Sequence, residues 1–291
     1  MSDPIGHSSI GASLREDLTN PRSERAARLL VGLDVDGTLI HEDETISPVV
    51  RDEVLRVQGL GHEVTLATGR SWERAQPILE HFGLAPQFVV CSNGALIMEQ
   101  DAAEQSGYRR EWVETFDPTE VLRTIRGHLP QGSFMVEDAT GFRRYTESMT
   151  DWDLTKAEQV DFDRLADFPA TRVVVVSPSH DADEFLDIVT AMGLSKVSYS
   201  IGWTSWLDIA PMGVNKATAL ERVRDELRIP RSDVFVAGDG RNDLEMFAWA
   251  LAGGGRAVAM GQAPDEVQTA AGEVTGTVDA DGLAAALATI R

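Results

Sequence analysis

After Arg28 the chain runs Leu29, Leu30, Val31, Gly32, Leu33 and then Asp34, Val35 and Asp36, a near-continuous apolar run that ends in two carboxylates one residue apart. Apolar side chains on both alternations mark a strand buried on both faces, as in a parallel sheet covered by helices. The next segments of the chain suit such a sheet. Ser47-Pro48 opens a helix with a hydroxyl in the capping position and a proline at the first turn. Val50, Val54 and Val57 give that helix a buried stripe, and Gly59 and Gly61 end it. Glu63 to Ala67 is a second strand. Ser71 is placed to cap a helix whose apolar face is Trp72, Ala75, Ile78, Leu79 and Phe82, with Pro77 expected to kink it. Gln87 to Cys91 is a third strand. Strand, helix, strand, helix, strand at this spacing predicts an α/β fold built on a parallel sheet.

The pattern changes after about Leu96. Ser133 to Glu137, Arg172 to Ser177, Val197 to Ile201 and Trp206 to Ile209 read as strands, with Asp117 to His128 and Asp181 to Met192 as helices opened by an aspartate. The β-branched run Val173 to Val176 is a central strand. After Pro211 the α/β pattern returns: a helix from Lys216 to Arg228, a strand at Val234 to Ala237, a helix from Asn242 and a strand at Ala257 to Met260. The expected organisation is a Rossmann-like core from 27–96 and 212–291, an α+β insertion at 97–211, and a leader at 1–26 rich in Ser, Arg, Asp and Glu.

Composition narrows the function. The 291 residues are 43% hydrophobic and 25% charged, which excludes disordered and fibrous classes. With 47 acidic against 26 basic side chains the net charge is −21. Such a chain repels nucleic-acid backbones and anionic membrane surfaces. The single cysteine, Cys91, lies in an apolar run and excludes an internal disulfide framework or a cysteine-built metal site. No apolar stretch approaches the ~18 residues of a membrane span, and no secretion signal is visible. The expected location is the cytoplasm.

Chemistry concentrates at strand ends, where open α/β sheets bind ligands. Asp34 and Asp36 can divide labour, one attacking as a nucleophile and the other handling protons, while Gly37 permits the sharp exit from the strand. A solvated acidic turn is the plain alternative. Thr68 and Gly69 end the second strand with a hydroxyl and an amide suited to phosphoryl oxygens, although a Thr-Gly turn is often only a turn. Lys216 is one of three lysines beside 23 arginines (26 basic residues less three) and opens a helix, where the dipole disfavours a cation. An anion would offset that placement, and a compact ammonium suits a phosphoryl group. Asp239, Asn242 and Asp243 come after the Val234–Ala237 strand. Carboxylates from two neighbouring strand ends make a hard oxygen site of the kind Mg²⁺ takes. Gly253-Gly254-Gly255 lacks the strand-then-helix setting of a dinucleotide fingerprint and reads as a turn.

In this order the segments Asp34-Val35-Asp36-Gly37-Thr38-Leu39, Ala67-Thr68-Gly69-Arg70, Ser92-Asn93-Gly94-Ala95, Lys216 and Gly238-Asp239 through Asn242-Asp243 resemble the haloacid-dehalogenase-like phosphotransferases. The position of the insertion resembles that superfamily's C2 cap class, and within it the Cof-type phosphatases. The resemblance implies that Asp34 forms a transient aspartyl-phosphate and that Asp36 protonates the leaving oxygen and then activates water. It implies Mg²⁺ on the Asp34 carboxylate, the Asp36 carbonyl and Asp239. Thr68, Gly69, Lys216 and Asn242 would hold the phosphoryl oxygens, with Asp243 supporting Lys216 or the metal's waters. Arg70 or Arg241, both beside these segments at strand ends, is expected to assist phosphate binding. Arg109, Arg110, Arg143, Arg144, Trp203 and Trp206 are the cap side chains that could meet the rest of the substrate; for any one of them, solvent exposure or core packing is the plainer expectation. The implied substrate is a small phosphorylated metabolite such as a sugar phosphate. Transfer to a second hydroxyl, as in a phosphomutase, and a non-catalytic phospho-acceptor domain are the alternatives. Asp36 argues against the last, because a general base shortens the life of an acyl phosphate.

Overall fold

The computed structural model describes residues 28–41, 43–147, 154–201 and 205–291. The expected leader and Trp203 lie outside them. In the first part of the chain come β1 (Leu30–Leu33), α1 (Pro48–Gly59), β2 (Glu63–Leu66), α2 (Trp72–Phe82), β3 (Phe88–Cys91), β4 (Leu96–Gln100) and β5 (Tyr108–Val113). The middle holds α3 (Thr119–His128), β6 (Ser133–Asp138), β7 (Arg143–Tyr145), β8 (Ala157–Gln159), β9 (Ala170–Val176), α4 (Ala182–Met192), β10 (Val197–Ile201) and β11 (Trp206–Pro211). The last part holds α5 (Lys216–Glu226), β12 (Val234–Gly238), α6 (Leu244–Ala252), β13 (Arg256–Ala259), α7 (Asp265–Ala270), β14 (Glu273–Val274) and α8 (Gly282–Leu287).

The core is a parallel sheet in the order β14-β13-β12-β1-β2. A parallel bridge from Ala67 to Val90 joins it to β3, which begins an antiparallel β3-β4-β5 sheet. Because β1 and β12 are neighbours in register, with Leu33 opposite Ala237, both strands deliver the residues beyond them to one place. Alternation along β1 sends Val31 and Leu33 into a cluster with Val50, Val54 and Val57 of α1 and Leu283 and Leu287 of α8. Leu30 and Val236 face the other way, onto Leu220 and Val223 of α5 and Met246 and Phe247 of α6. Gly32 sits under Leu220, whose methyl would lie 3.1 Å from an added Cβ. The result is a Rossmann-like three-layer core with an inserted α+β unit.

The inserted sheet runs β10-β11-β9-β6-β7-β8, mostly antiparallel, and β9 is central as the valine run implies. One face is apolar: Phe134, Val136, Val173, Val175, Leu207 and Ile209 pack on Val121, Leu122 and Ile125 of α3 and Phe185 and Val189 of α4. The opposite face carries charged residues. Strands β4 and β5, by contrast, contribute Leu96, Ile97, Met98 and Tyr108 to the two clusters that flank the parallel sheet.

Several local expectations change. The Ser47 and Ser71 hydroxyls make no capping bond; Ser71 Oγ instead accepts from Arg143 Nη2 at 2.8 Å. Helix α2 runs through Pro77, and α3 starts at Thr119 with Asp117 accepting from the Thr119 amide at 2.9 Å. Asp181 caps α4 as expected, accepting from the Glu184 amide. Strands β4, β5, β7 and β8 and helices α7 and α8 go beyond what the sequence pattern predicts, being short or weakly patterned. Among the described residues no helix is long and apolar enough to cross a membrane.

Phe134 is fully buried and meets the Phe162 ring edge-on at 5.0 Å between centroids. Phe134→Ala will therefore cost about 3–5 kcal/mol of stability, measured by urea unfolding.

Candidate active site

Four strand ends build the site. Strand β1 continues its ladder one residue beyond Leu33, with the Asp34 amide donating to Ala237 O at 3.0 Å. This fixes Asp34 beside the start of the β12 turn. The chain then reverses through Gly37, whose φ is +72° and whose added Cβ would stand 2.2 Å from Asp239 Oδ2. Only glycine meets both demands. After β12, Asp243 Oδ2 accepts from the amides of Asp239 and Gly240 at 3.0 and 2.9 Å, closing a turn that holds Asp239 toward β1.

Lys216 stands at the first position of α5. Asn215 caps that helix in a reciprocal box with Thr218. The lysine is fully buried, and its Nζ donates to Asp34 Oδ1 at 2.6 Å and to Asp243 Oδ1 at 2.7 Å. Two carboxylates thus offset the unfavourable position of a cation at a helix start. Their charge raises the Lys216 pKa against its burial and keeps the ammonium charged.

Asp34, Asp239 and Asp243 are all buried, each offering a carboxylate oxygen within 4.8 Å of the others. Burial first, then repulsion from neighbouring carboxylates, raises the pKa of Asp34 and Asp239. Asp34 is held well above the usual carboxylate range even though Lys216 pulls it down. Asp239 is pushed up to about 7 by burial and by Asp243. Three carboxylates against one ammonium leave uncompensated negative charge when all ionise. Both Asp243 oxygens are taken by Lys216 and backbone amides, whereas Asp34 and Asp239 keep oxygen lone pairs free. A hard oxygen set with surplus negative charge fits a divalent cation.

Asp36 is elsewhere in character. Its side chain is 60% exposed against 6% for Asp34, and it accepts from Arg70 Nε at 3.0 Å and Arg70 Nη2 at 2.6 Å. Arg70 also reaches Glu44 at 2.9 Å. Arg70 is thus engaged by carboxylates, and Arg241 is paired with Glu266. Thr68 is buried, its Oγ1 accepting from the Arg70 amide at 3.0 Å. The Gly69 carbonyl accepts from Arg172 Nη1 of β9 at 2.9 Å. Asn242 Nδ2 donates to Asn93 Oδ1 at 3.0 Å, and Asn93 Nδ2 to Asp208 Oδ2 at 2.9 Å.

Sequence reasoning gives Asn93 no role and passes over Arg172, Asp208, Glu137 and Gln262. Gln262 Nε2 donates to the Gly37 carbonyl and approaches Asp239 Oδ2 at 3.4 Å. The signal for three of them is present: Glu137, Arg172 and Asp208 are charges lodged inside apolar strands. Among the expected cap side chains, Arg143 and Arg110 reach the core through Glu73, while Arg109 and Arg144 pair with Glu99 and Asp138 away from the site.

A strand end bearing two carboxylates, a buried lysine and a cluster of three buried carboxylates thus meet on a parallel sheet. Residues 31–287 match the family model of haloacid dehalogenase-like hydrolases. The chain belongs to that family and is a phosphoric monoester hydrolase, with an inserted α+β unit. It is 26% identical over 262 residues to the 5-amino-6-(5-phospho-D-ribitylamino)uracil phosphatase YitU of Bacillus subtilis, covering 88% of this chain and 94% of that one. A haloacid dehalogenase-like hydrolase from Bacteroides thetaiotaomicron is similar in structure, with a TM-score of 0.69 at 25% identity, over 91% of this chain and 100% of that one. The subclass IIB sugar phosphatase BT4131 shares the fold, with a TM-score of 0.74 at 18% identity, over 89% and 98%.

This geometry has two measurable consequences. A divalent cation at 100 times its Kd will stabilise the protein by about 2.7 kcal/mol, read as a rise in the thermal midpoint, and Asp239→Asn will remove the rise. Gly37→Ala will lower turnover by two orders of magnitude or more, on the order of what misplacing a catalytic group by about 1 Å costs; steady-state kinetics will measure it.

Proposed function

We propose that this protein is a Mg²⁺-dependent phosphatase of a small soluble phosphomonoester, a sugar phosphate or similar metabolite, acting through an aspartyl-phosphate. The observation that carries this reading is the unlike setting of two carboxylates on one strand end: Asp34 buried on Lys216, Asp36 open on Arg70. An oxygen of Asp34 attacks phosphorus, a new P–O bond forms, and the bond to the leaving oxygen breaks. Asp36 gives that oxygen its proton. Water then attacks the phosphoryl group, Asp36 takes the water's proton, and the bond to Asp34 breaks to free inorganic phosphate. Thr68, the Gly69 amide, Lys216 and Asn242 hold the phosphoryl oxygens through these steps. Asp243 positions Lys216 and the Asp239 turn. When bound by the Asp34 and Asp239 carboxylates and the Asp36 carbonyl, Mg²⁺ supplies positive charge that draws in the ester and stabilises the charge spread over it.

The relatives support the substrate class: one acts on a phosphorylated ribityl compound and another on sugar phosphates. The inserted segment, expected at 97–211, is the part we assign to substrate choice. The net charge of −21 supports a small soluble ligand over nucleic acid or an anionic membrane.

The test is inorganic phosphate release from a panel of phosphorylated metabolites with Mg²⁺ and with EDTA. Wild type will turn over at least one ester, and EDTA and Asp34→Asn will each abolish it. Asp36→Asn will lower kcat by about 10²–10⁴, the usual worth of a general acid–base group. Full activity in Asp34→Asn would overturn the mechanism.

A further inference from the structure

Asn93 lies among the segments that the proposed mechanism uses, and that mechanism leaves it without a duty. It sits in the turn Ser92-Asn93-Gly94 after β3, where φ is +49°, +51° and +98° in succession. Backbone bonds fasten this turn to the end of β2: the Asn93 amide donates to the Thr68 carbonyl at 3.0 Å and the Ser92 amide to the Arg70 carbonyl at 2.8 Å. Gly94 passes beneath the start of α5, where an added Cβ would stand 2.3 Å from the Asn215 carbonyl oxygen. The Asn93 side chain is buried and lies over Gly69, its Nδ2 3.2 Å from where a Gly69 Cβ would be. A turn fastened on so many sides keeps the Asn93 amide in one place.

What that amide does follows from donor and acceptor chemistry. Asn93 Nδ2 donates to Asp208 Oδ2 at 2.9 Å, and Asn93 Oδ1 accepts from Asn242 Nδ2 at 3.0 Å. Burial pushes the Asp208 pKa up, and Arg172, 3.4 Å away, favours the ionised form against it. An ionised carboxylate only accepts, so Asn93 turns its NH2 toward Asp208 and its carbonyl toward Asn242. A carbonyl likewise only accepts, so Asn242 must present its NH2 to Asn93. Asn242 Oδ1 then folds back on its own turn, 2.5 Å from where a Gly240 Cβ would be. The second Asn242 N–H has no acceptor among the described residues. Were Asn93 turned over, two NH2 groups would face each other until Asn242 turned as well. A carbonyl lone pair would then stand where that N–H stands, and a phosphoryl oxygen would meet repulsion instead of a donor.

We propose that Asn93 is a positioning residue that fixes the orientation of the Asn242 amide, so that an N–H and not a carbonyl faces the phosphoryl group. Asp208 of β11 sets the orientation of Asn93 in turn. A donor held this way needs no rearrangement at the moment of reaction, which is where its value lies. The assignment rests on the phosphatase reading above, in which Asn242 holds a phosphoryl oxygen, and adds to it a residue that does not touch the ester.

The experiment is a double-mutant cycle on kcat/KM for p-nitrophenyl phosphate with Mg²⁺, run beside the affinity for inorganic phosphate measured by calorimetry. Asn93→Gly removes the amide and suits the positive φ at that position. It will lower kcat/KM by about 10–100-fold, the range seen when a partner that orients a ligating side chain is lost, and will weaken phosphate binding. In the Asn242→Ala background the same substitution will cost less than about twofold, because its effect passes through Asn242. A merely structural role would give losses that multiply. Asp208→Asn keeps shape but donates as well as accepts, so it no longer holds Asn93 one way round. Its loss will also vanish in the Asn242→Ala background, and it carries the cycle where Asn93→Gly does not fold. Losses that multiply, or single variants with unchanged kcat/KM and phosphate affinity, overturn the positioning role and leave the phosphatase reading standing. Absence of turnover of any ester by wild type strikes that reading and this proposal together.

Discussion

A single buried ammonium holds the site together. Lys216 has no solvent contact, and its two hydrogen bonds join the end of β1, through Asp34, to the turn after β12, through Asp243. A charge so placed is tolerable only when paired, and so is each carboxylate that pairs with it. The three residues therefore fix one another. Asp243 extends the constraint by taking the Asp239 and Gly240 amides with its other oxygen, and Gly238 must stay without a side chain because a Cβ there would sit 2.3 Å from that oxygen. The parallel register of β1 with β12 brings the partners within reach, and the apolar layers on both sides of the sheet hold that register.

The excess charge in this arrangement explains its chemistry. Burial and the neighbouring Asp243 raise the Asp239 pKa to about 7, against a Lys216 whose hydrogen bonds go to Asp34 and Asp243. A divalent cation relieves that repulsion where it is greatest. Asp36, two residues beyond Asp34, escapes the cluster because the chain turns outward before Gly37 and meets Arg70. Two carboxylates two residues apart on one strand end thus acquire opposite surroundings, one buried on a lysine and one open on an arginine.

Much of the core is legible in the sequence because strands buried on both faces and helices with one apolar stripe write strong, distinct periods. Leu30 to Leu33, Val234 to Gly238 and the stripe of Val50, Val54 and Val57 are of that kind. The gathering of Asp34, Asp239, Asp243 and Lys216 is legible from their places after strands, given that β1 and β12 are neighbours. Strands β7, β8 and β14 are two or three residues long, too short to show a period. The partners of Arg70 and Arg241 are not legible either. Glu44 and Glu266 are distant or in loops, and only the fold decides which carboxylate a surface arginine meets. Arg172 and Asp208 carry a readable sign, a charge within a valine-rich or alternating strand, but its meaning depends on which face turns toward the core.

That face also determines how firmly the inserted sheet is seated. Its contacts with the strand ends are hydrogen bonds and ion pairs: Arg172 to Gly69, Asp208 to Asn93, Arg143 to Ser71 and Glu73. One apolar face is spent on α3 and α4, while Met135 and Val174, paired on the charged face, are buried there as well. Separating two apolar faces exposes surface at about 25 cal/mol per Å², whereas water can replace the partners of polar groups at small net cost. The seam between the sheets therefore joins polar contacts to a small apolar patch, and it runs along the strand ends that carry the candidate site. Water can take over those polar contacts if the seam parts, whereas the Met135 and Val174 surface opposes parting.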